Sequence, residues 1–213
     1  MKINKKTLIL TSLVCLLPLI AGALVYPYLP ETVATHFGFD GTPNGWSSRA
    51  VAAFAMPGFM LIMNLLLIFG LNADPKRKNM SPALKTIAVW TVPLLSLVCT
   101  GITLAGALGH PMPIQIILPV LIGVLFILIG NYLPKTKQSY TMGIRLPWTL
   151  NSEENWNRTH RLAGFLWVIG GIAFILFSFI GWNLAAFLII LAIMTLGPIV
   201  YSFLLYRKEE RER

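Results

Sequence analysis

The chain has 213 residues, 56% hydrophobic and only 12% charged, with a mean hydropathy of +0.72 and a formal charge of +9. Soluble domains carry about twice that charged fraction, so the composition excludes a soluble globular protein and points to an integral membrane protein. The basic residues cluster between apolar runs, which makes the charge a topology signal; direct nucleic-acid binding is not expected.

Six apolar runs approach or exceed the ~20 residues needed to cross a ~30 Å hydrocarbon core: residues 7–28, 51–71, 86–108, 114–133, 162–180 and 184–206. Backbone facing lipid must satisfy its hydrogen bonds within each segment, so the expected fold class is all-α, a polytopic membrane protein of six transmembrane helices. Connections fall at Ala73 to Ser81, which carries Asp74, Lys76, Arg77 and Lys78, and at the short GHPMP (Gly109 to Pro113) and GWN (Gly181 to Asn183) turns. All lysines and arginines except Arg49 fall before span one, between spans two and three, between four and five, or after six. Such residues are retained on the cytoplasmic side, which predicts that both termini are cytoplasmic in a multi-pass membrane protein.

The first span also resembles a secretory signal, with Lys5 and Lys6, an apolar stretch from Leu8 to Ile20 and the small residues Ala21, Gly22 and Ala23. Apolar sequence continues through Val25 to Leu29, so retention as a span is expected. Cys15 and Cys99 lie in apolar surroundings and read as packing residues. His36, His110 and His160 are isolated, with no HExxH or CxxC pattern, so neither a metal site nor a cofactor is expected.

Within the spans as drawn the polar residues are mild: Asn64, Thr91, Ser96, Thr100, Thr103, Ser178 and Thr195. These suit helix-to-helix hydrogen bonds, whereas ion-coupled transport usually needs ionisable groups at depth. Pro18, Pro57, Pro93, Pro119 and Pro198 predict kinks.

Two loops carry the remaining information. The outer one, residues 30–49 (PETVATHFGFDGTPNGWSSR), is rich in Gly, Pro, Asn and Asp and predicts ordered turns, not a helix. Its His36, Phe37, Phe39, Asp40 and Trp46 read either as headgroup anchors or as an extracellular ligand-binding surface. The inner loop, within residues 134–161, carries Lys135, Lys137 and GIRLPWT, which suggest a segment at the membrane surface with Trp148 and Trp156 at the interface and Arg145 near phosphates or a helix end. Asn151 followed by Glu154 reads as an N-cap with its reciprocal carboxylate, so a helix is expected to start near Ser152 and run into span five. Glu154 and His160 are separated by about 9 Å of helical rise, too far for an acid/base pair.

The runs GNYLPKTK, MGIRLPWTL and SEENWNRTHRLAG resemble the hallmark region of the SdpI family of bacterial membrane proteins. LPETVATHFGFDGTPNGW resembles the DUF1648 segment that often precedes it. The resemblance implies a DUF1648-like helical hairpin over 1–80 and an SdpI-like four-helix region over 81–213. It implies a non-enzymatic immunity protein and receptor that meets a secreted toxic peptide outside and holds a cytosolic ArsR-like repressor at the membrane. The motif positions then expected to meet a partner inside are Asn131, Gly143, Arg145, Pro147, Trp148, Thr149, Glu154, Asn155, Trp156, His160 and Arg161. Arg145, Arg158 and Arg161 would serve anionic lipid equally well. The competing readings are a transporter or flippase for a small or lipidic substrate, and a membrane enzyme using His36 and Asp40 or Glu154 and His160.

Overall fold

The structure, a computed structural model, describes residues 2–181 and 183–211. Trp182 of the expected GWN turn and Arg213 of the basic tail lie outside the described residues. Among the described residues the protein is 77% helical, with six helices long and apolar enough to cross a membrane. Residue contacts divide it into two compact units, one formed by Lys2–Asn72 with Ala88–Ile117 and the other by Ala73–Ile87 with Leu118–Arg213.

In the first unit, Asn4 caps helix α1 (Lys5–Val25) by accepting the Thr7 N–H at 2.7 Å, and a 3-10 turn at Tyr26–Tyr28 ends the span. Strands β1 (Thr32–Phe37) and β2 (Pro43–Ser48) then form an antiparallel hairpin. The second span opens with a π-helical turn, Val51–Ala55, that leads into α2 (Met56–Ala73). Gly22 of α1 sits so close to this turn that a Cβ there would lie 3.1 Å from Ala53 Cα and overlap the Ala53 carbonyl oxygen. Deeper in the same pair, Asn64 donates to Thr11 Oγ1 at 3.3 Å with both side chains fully buried. Here an intramembrane polar residue does join two helices. Cys15 is buried, Cys99 half-buried, and both are free thiols.

Helix α3 (Pro82–Ala107) begins four residues before the expected span, with Pro82 at its first position, where a missing N–H leaves no intrahelical bond unmade. Helix α4 (Ile114–Tyr132) ends in a 3-10 turn at Leu133–Lys135. In the second unit follow the short α5 (Pro147–Asn151), α6 (Glu153–Ile180) and α7 (Leu184–Arg211), the last capped by Asn183, whose side chain accepts the Ala186 N–H at 2.8 Å. Helices α4 and α6 meet through two glycine pairs, each one heptad from the other. A Cβ on Gly123 would lie 2.6 Å from Gly171 O, and a Cβ on Gly130 would lie 2.8 Å from Gly164 O. Small residues of this kind let membrane helices approach backbone to backbone.

Candidate functional site

Two constructions stand out, and the first is the hairpin. Tyr26 to Arg49 is closed by the Arg49 N–H donating to Glu31 O at 3.0 Å, and the Arg49 guanidinium lies 4.9 Å from the centre of the Tyr26 ring. The tip is held by Gly38 N–H to Thr42 O at 2.8 Å and by Gly41, whose φ of +80° suits glycine. Asp40 accepts from Thr42 N–H at 3.0 Å and from its hydroxyl at 2.7 Å. Those two bonds, backbone first, hold the Asp40 carboxyl below its ordinary value. His36 Nδ1 bonds Asn44 Oδ1. Val33 is buried, whereas Phe39 and Trp46 are exposed, Trp46 to 61%.

The expected turns are thus a hairpin with two strands, and the register shifts around His36 accommodate the extra residue of a bulge. Sequence reasoning missed the strands because β2 begins with Pro, Asn and Gly, which read as turn residues. A proline is tolerated at the first position of an edge strand. His36 and Asp40 find separate partners and do not form an acid/base pair.

The second construction is a buried polar network in the segment joining α4 to α6. His160 Nδ1 donates to Trp156 O, one turn back, at 2.8 Å, so the ring is the Nδ1–H tautomer. Its Nε2 lone pair accepts the Ile144 N–H at 2.9 Å. Trp156 stacks on that imidazole at 4.0 Å and donates its indole N–H to Thr136 O at 2.8 Å. Gly143, with φ +107°, passes so close that a Cβ would be 2.5 Å from His160 Nε2. Thr149 donates to Ile144 O at 2.8 Å and accepts the Leu146 N–H at 2.9 Å, closing the start of α5.

The network extends to α7 and to the residues after α2. Ser202 receives the Trp148 indole N–H on its hydroxyl and the Asn155 amide on its carbonyl, both at 2.9 Å. Gln138 donates to Thr149 O at 3.0 Å and accepts Asn79 Nδ2 on its own carbonyl at 2.9 Å. Asp74, only 3% exposed, accepts from Ser139 Oγ at 2.8 Å and from the Lys76 N–H at 2.6 Å. Burial opposes ionisation of Asp74, but hydrogen bonds from Thr141, Ser139 and Lys76 together outweigh it and hold the carboxyl below its ordinary value.

Several expectations for this region are corrected. Ser152, not Asn151, caps α6, its side chain accepting the Asn155 N–H at 3.1 Å; Asn151 is the last residue of α5. Glu154 consequently has no capping role and pairs with Arg158 at 2.7 Å, an exposed i,i+4 pair. Trp156 is fully buried, so it is not an interfacial anchor, and Trp148 is half-buried with its indole N–H turned to Ser202. The Arg145 guanidinium donates to Tyr140 O at 2.5 Å.

Of the residues expected to meet a partner, Thr149, Asn155, Trp156 and His160 are buried and bonded within the protein; Asn131, Gly143, Arg145, Pro147, Glu154 and Arg161 are exposed. Glu154 and His160 have different partners and form no catalytic pair. Sequence reasoning missed Asp74, Asn79, Thr136, Gln138, Ser139 and Ser202. Asp74 carried a signal, being the lone acid in a basic connection.

Residues 135–202 match the SdpI/YfhL protein family. Residues 13–61 match the domain of unknown function DUF1648. The SdpI match begins inside the network and ends at Ser202, while the DUF1648 match includes the hairpin and the adjoining parts of the two spans that flank it. The chain is also similar to the immunity protein SdpI of Bacillus subtilis (strain 168), 28% identical over 193 residues that cover 90% of this chain and 91% of that protein. No solved structure matches. The six apolar helices and this similarity make the chain a multi-pass cell-membrane protein.

Proposed function

We propose that the protein is an integral membrane immunity protein that protects its cell from a secreted toxic peptide. The observation that carries this reading is the similarity to an immunity protein along nine-tenths of both chains. The hairpin is the input, because Phe39 and Trp46 are exposed apolar side chains on an otherwise hydrogen-bonded frame. Large rigid aromatics of this kind contribute strongly at binding surfaces. The role is binding, not catalysis, which agrees with the separate partners of His36, Asp40, Glu154 and His160.

The finer part of the reading is signalling: both termini are cytoplasmic, and the basic face with Arg145 and Arg161 meets an ArsR-like repressor when peptide is bound. Such coupling requires the peptide to bind two states of the protein with different affinity. The test is expression in a toxin-sensitive bacterium exposed to a secreted toxic peptide of the kind that an SdpI-type immunity protein counters. Survival that depends on the chain supports immunity, and equal killing with and without it rejects that role. Peptide-dependent recovery of the repressor with membranes tests the signalling part separately.

A further inference from the structure

Helix α7 has the least buried apolar stretch of the six membrane-length helices. One face carries a shallow, largely open apolar groove lined by Ala192, Ile193, Leu196, Gly197, Val200, Tyr201 and Leu204. Ala192 to Leu204 spans about 18 Å of helical rise, close to the ~15 Å half-thickness of a hydrocarbon core.

The charge at the end of this groove is ordered by the helical period. At 3.6 residues per turn, Arg207 and Arg211 fall within about 35° of the middle of the groove face, with Lys208 about 65° to one side. Glu209 points to the opposite side and Glu210 lies about 95° to the other flank. Glu209 accepts the Ser152 hydroxyl at 3.3 Å and Glu210 accepts the Tyr206 hydroxyl at 2.5 Å, both away from the middle of that face. Arg207 and Arg211 are exposed. A one-leaflet apolar groove therefore runs into a cationic patch on the same helical face.

We propose that α7 binds one anionic phospholipid, an acyl chain in the groove and the phosphate against Arg207 and Arg211. A second copy packed in parallel on this face would bring two pairs of guanidinium groups together, which like-charge repulsion opposes. Long basic side chains at a helix end reach headgroups readily. The site is independent of the immunity reading.

The test is native mass spectrometry of the full chain in neutral detergent, titrated with phosphatidylglycerol or phosphatidylcholine. Retention of phosphatidylglycerol is expected to exceed that of phosphatidylcholine on the order of tenfold. Arg207→Gln with Arg211→Gln should reduce it to the phosphatidylcholine level, and Val200→Trp, at an exposed groove position, should lower retention of both lipids. Circular dichroism and elution volume matching wild type show that the variants fold. Equal retention of the two lipids, or no effect of either variant, overturns the proposal. Displacement of phosphatidylglycerol by millimolar inorganic phosphate also overturns it by making the site a free-anion site, as does a dimer that Val200→Trp disrupts while lipid retention stays unchanged.

Discussion

The Ile144 N–H donates to Nε2 of His160, 2.9 Å away and sixteen residues further along the chain. The bond ties the GIRLP stretch to the first turns of α6, and the same imidazole is oriented from behind by Trp156 O. A neutral histidine with both nitrogens engaged is a fastener here, not a proton shuttle.

Replacing His160 with Ala removes that acceptor and the ring stacked on Trp156. A loss on the order of 1–3 kcal/mol is expected for the orphaned bond. His160→Phe keeps a ring but no acceptor and should lose much of the same stability. Chemical unfolding in detergent, with protease cleavage of residues 136–146 as a local readout, checks both. Unchanged unfolding and cleavage for both variants would mean that this bond does not hold the segment.

Gly143→Ala combines two penalties: φ of +107° and a Cβ within 2.5 Å of His160 Nε2 and 2.8 Å of Trp156 Cη2. A destabilisation of roughly 1–3 kcal/mol is expected. Gly109→Ala, at φ +87° with nothing within 4 Å of the added Cβ, should share the strain but not the clash. The difference between the two midpoints measures the contact.

Asp74 has a folded-state pKa below its unfolded value of about 3.9. Its contribution is therefore fully present above that unfolded value and is lost as pH falls through the folded pKa. Unfolding followed from pH 7 to pH 2.5 should show stability falling in the acid range. Asp74→Asn should lower stability at neutral pH by about 1–3 kcal/mol, because hydrogen bonds to a charged acceptor are removed. Its acid slope should be shallower; a variant with the wild-type slope would mean that other carboxylates set the acid response.

Gly130→Val and Gly171→Val push side chains into the facing helix backbone, where Gly164 O and Gly123 O lie 2.8 and 2.5 Å from the added Cβ. Overpacking of this kind costs about 1–3 kcal/mol, more where the obstacle is backbone that cannot rotate away. Lower thermal midpoints are expected for both, while Gly101→Val, with nothing within 4 Å, should leave the midpoint nearly unchanged.

Trp46→Ala and Phe39→Ala test the input surface. Trp46 is 61% exposed, so its removal should leave unfolding nearly unchanged while protection against the toxic peptide drops on the order of tenfold, as for an aromatic anchor at an interface. Full protection by the double variant would move peptide recognition away from the hairpin.

The spans and the fold class were legible because burial in lipid imposes a one-dimensional rule: enough consecutive apolar residues, with hydrogen bonds closed inside each helix. The family resemblance was legible for a related reason, since GIRLPWT and NWNRTHRLAG are continuous in sequence. Asn151 and Ser152 show where local reading loses resolution. Both are good caps, and the choice went to Ser152 because Asn151 completes the turn that Pro147 and Thr149 begin.

What the sequence by itself determined is the membrane class, the number of spans and the stretch of chain in which the polar segment lies. What only the tertiary structure decided is the role of that segment's side chains. Asp74 with Ser139, Trp148 with Ser202 and Ile144 with His160 are separated by 65, 54 and 16 residues, and no local periodicity encodes such partners. Their pairing follows because a buried donor or acceptor without a partner costs more than most single contacts contribute. The fold therefore turned Asn155, Trp156 and His160 inward as fasteners and left Arg145 and Arg161 exposed.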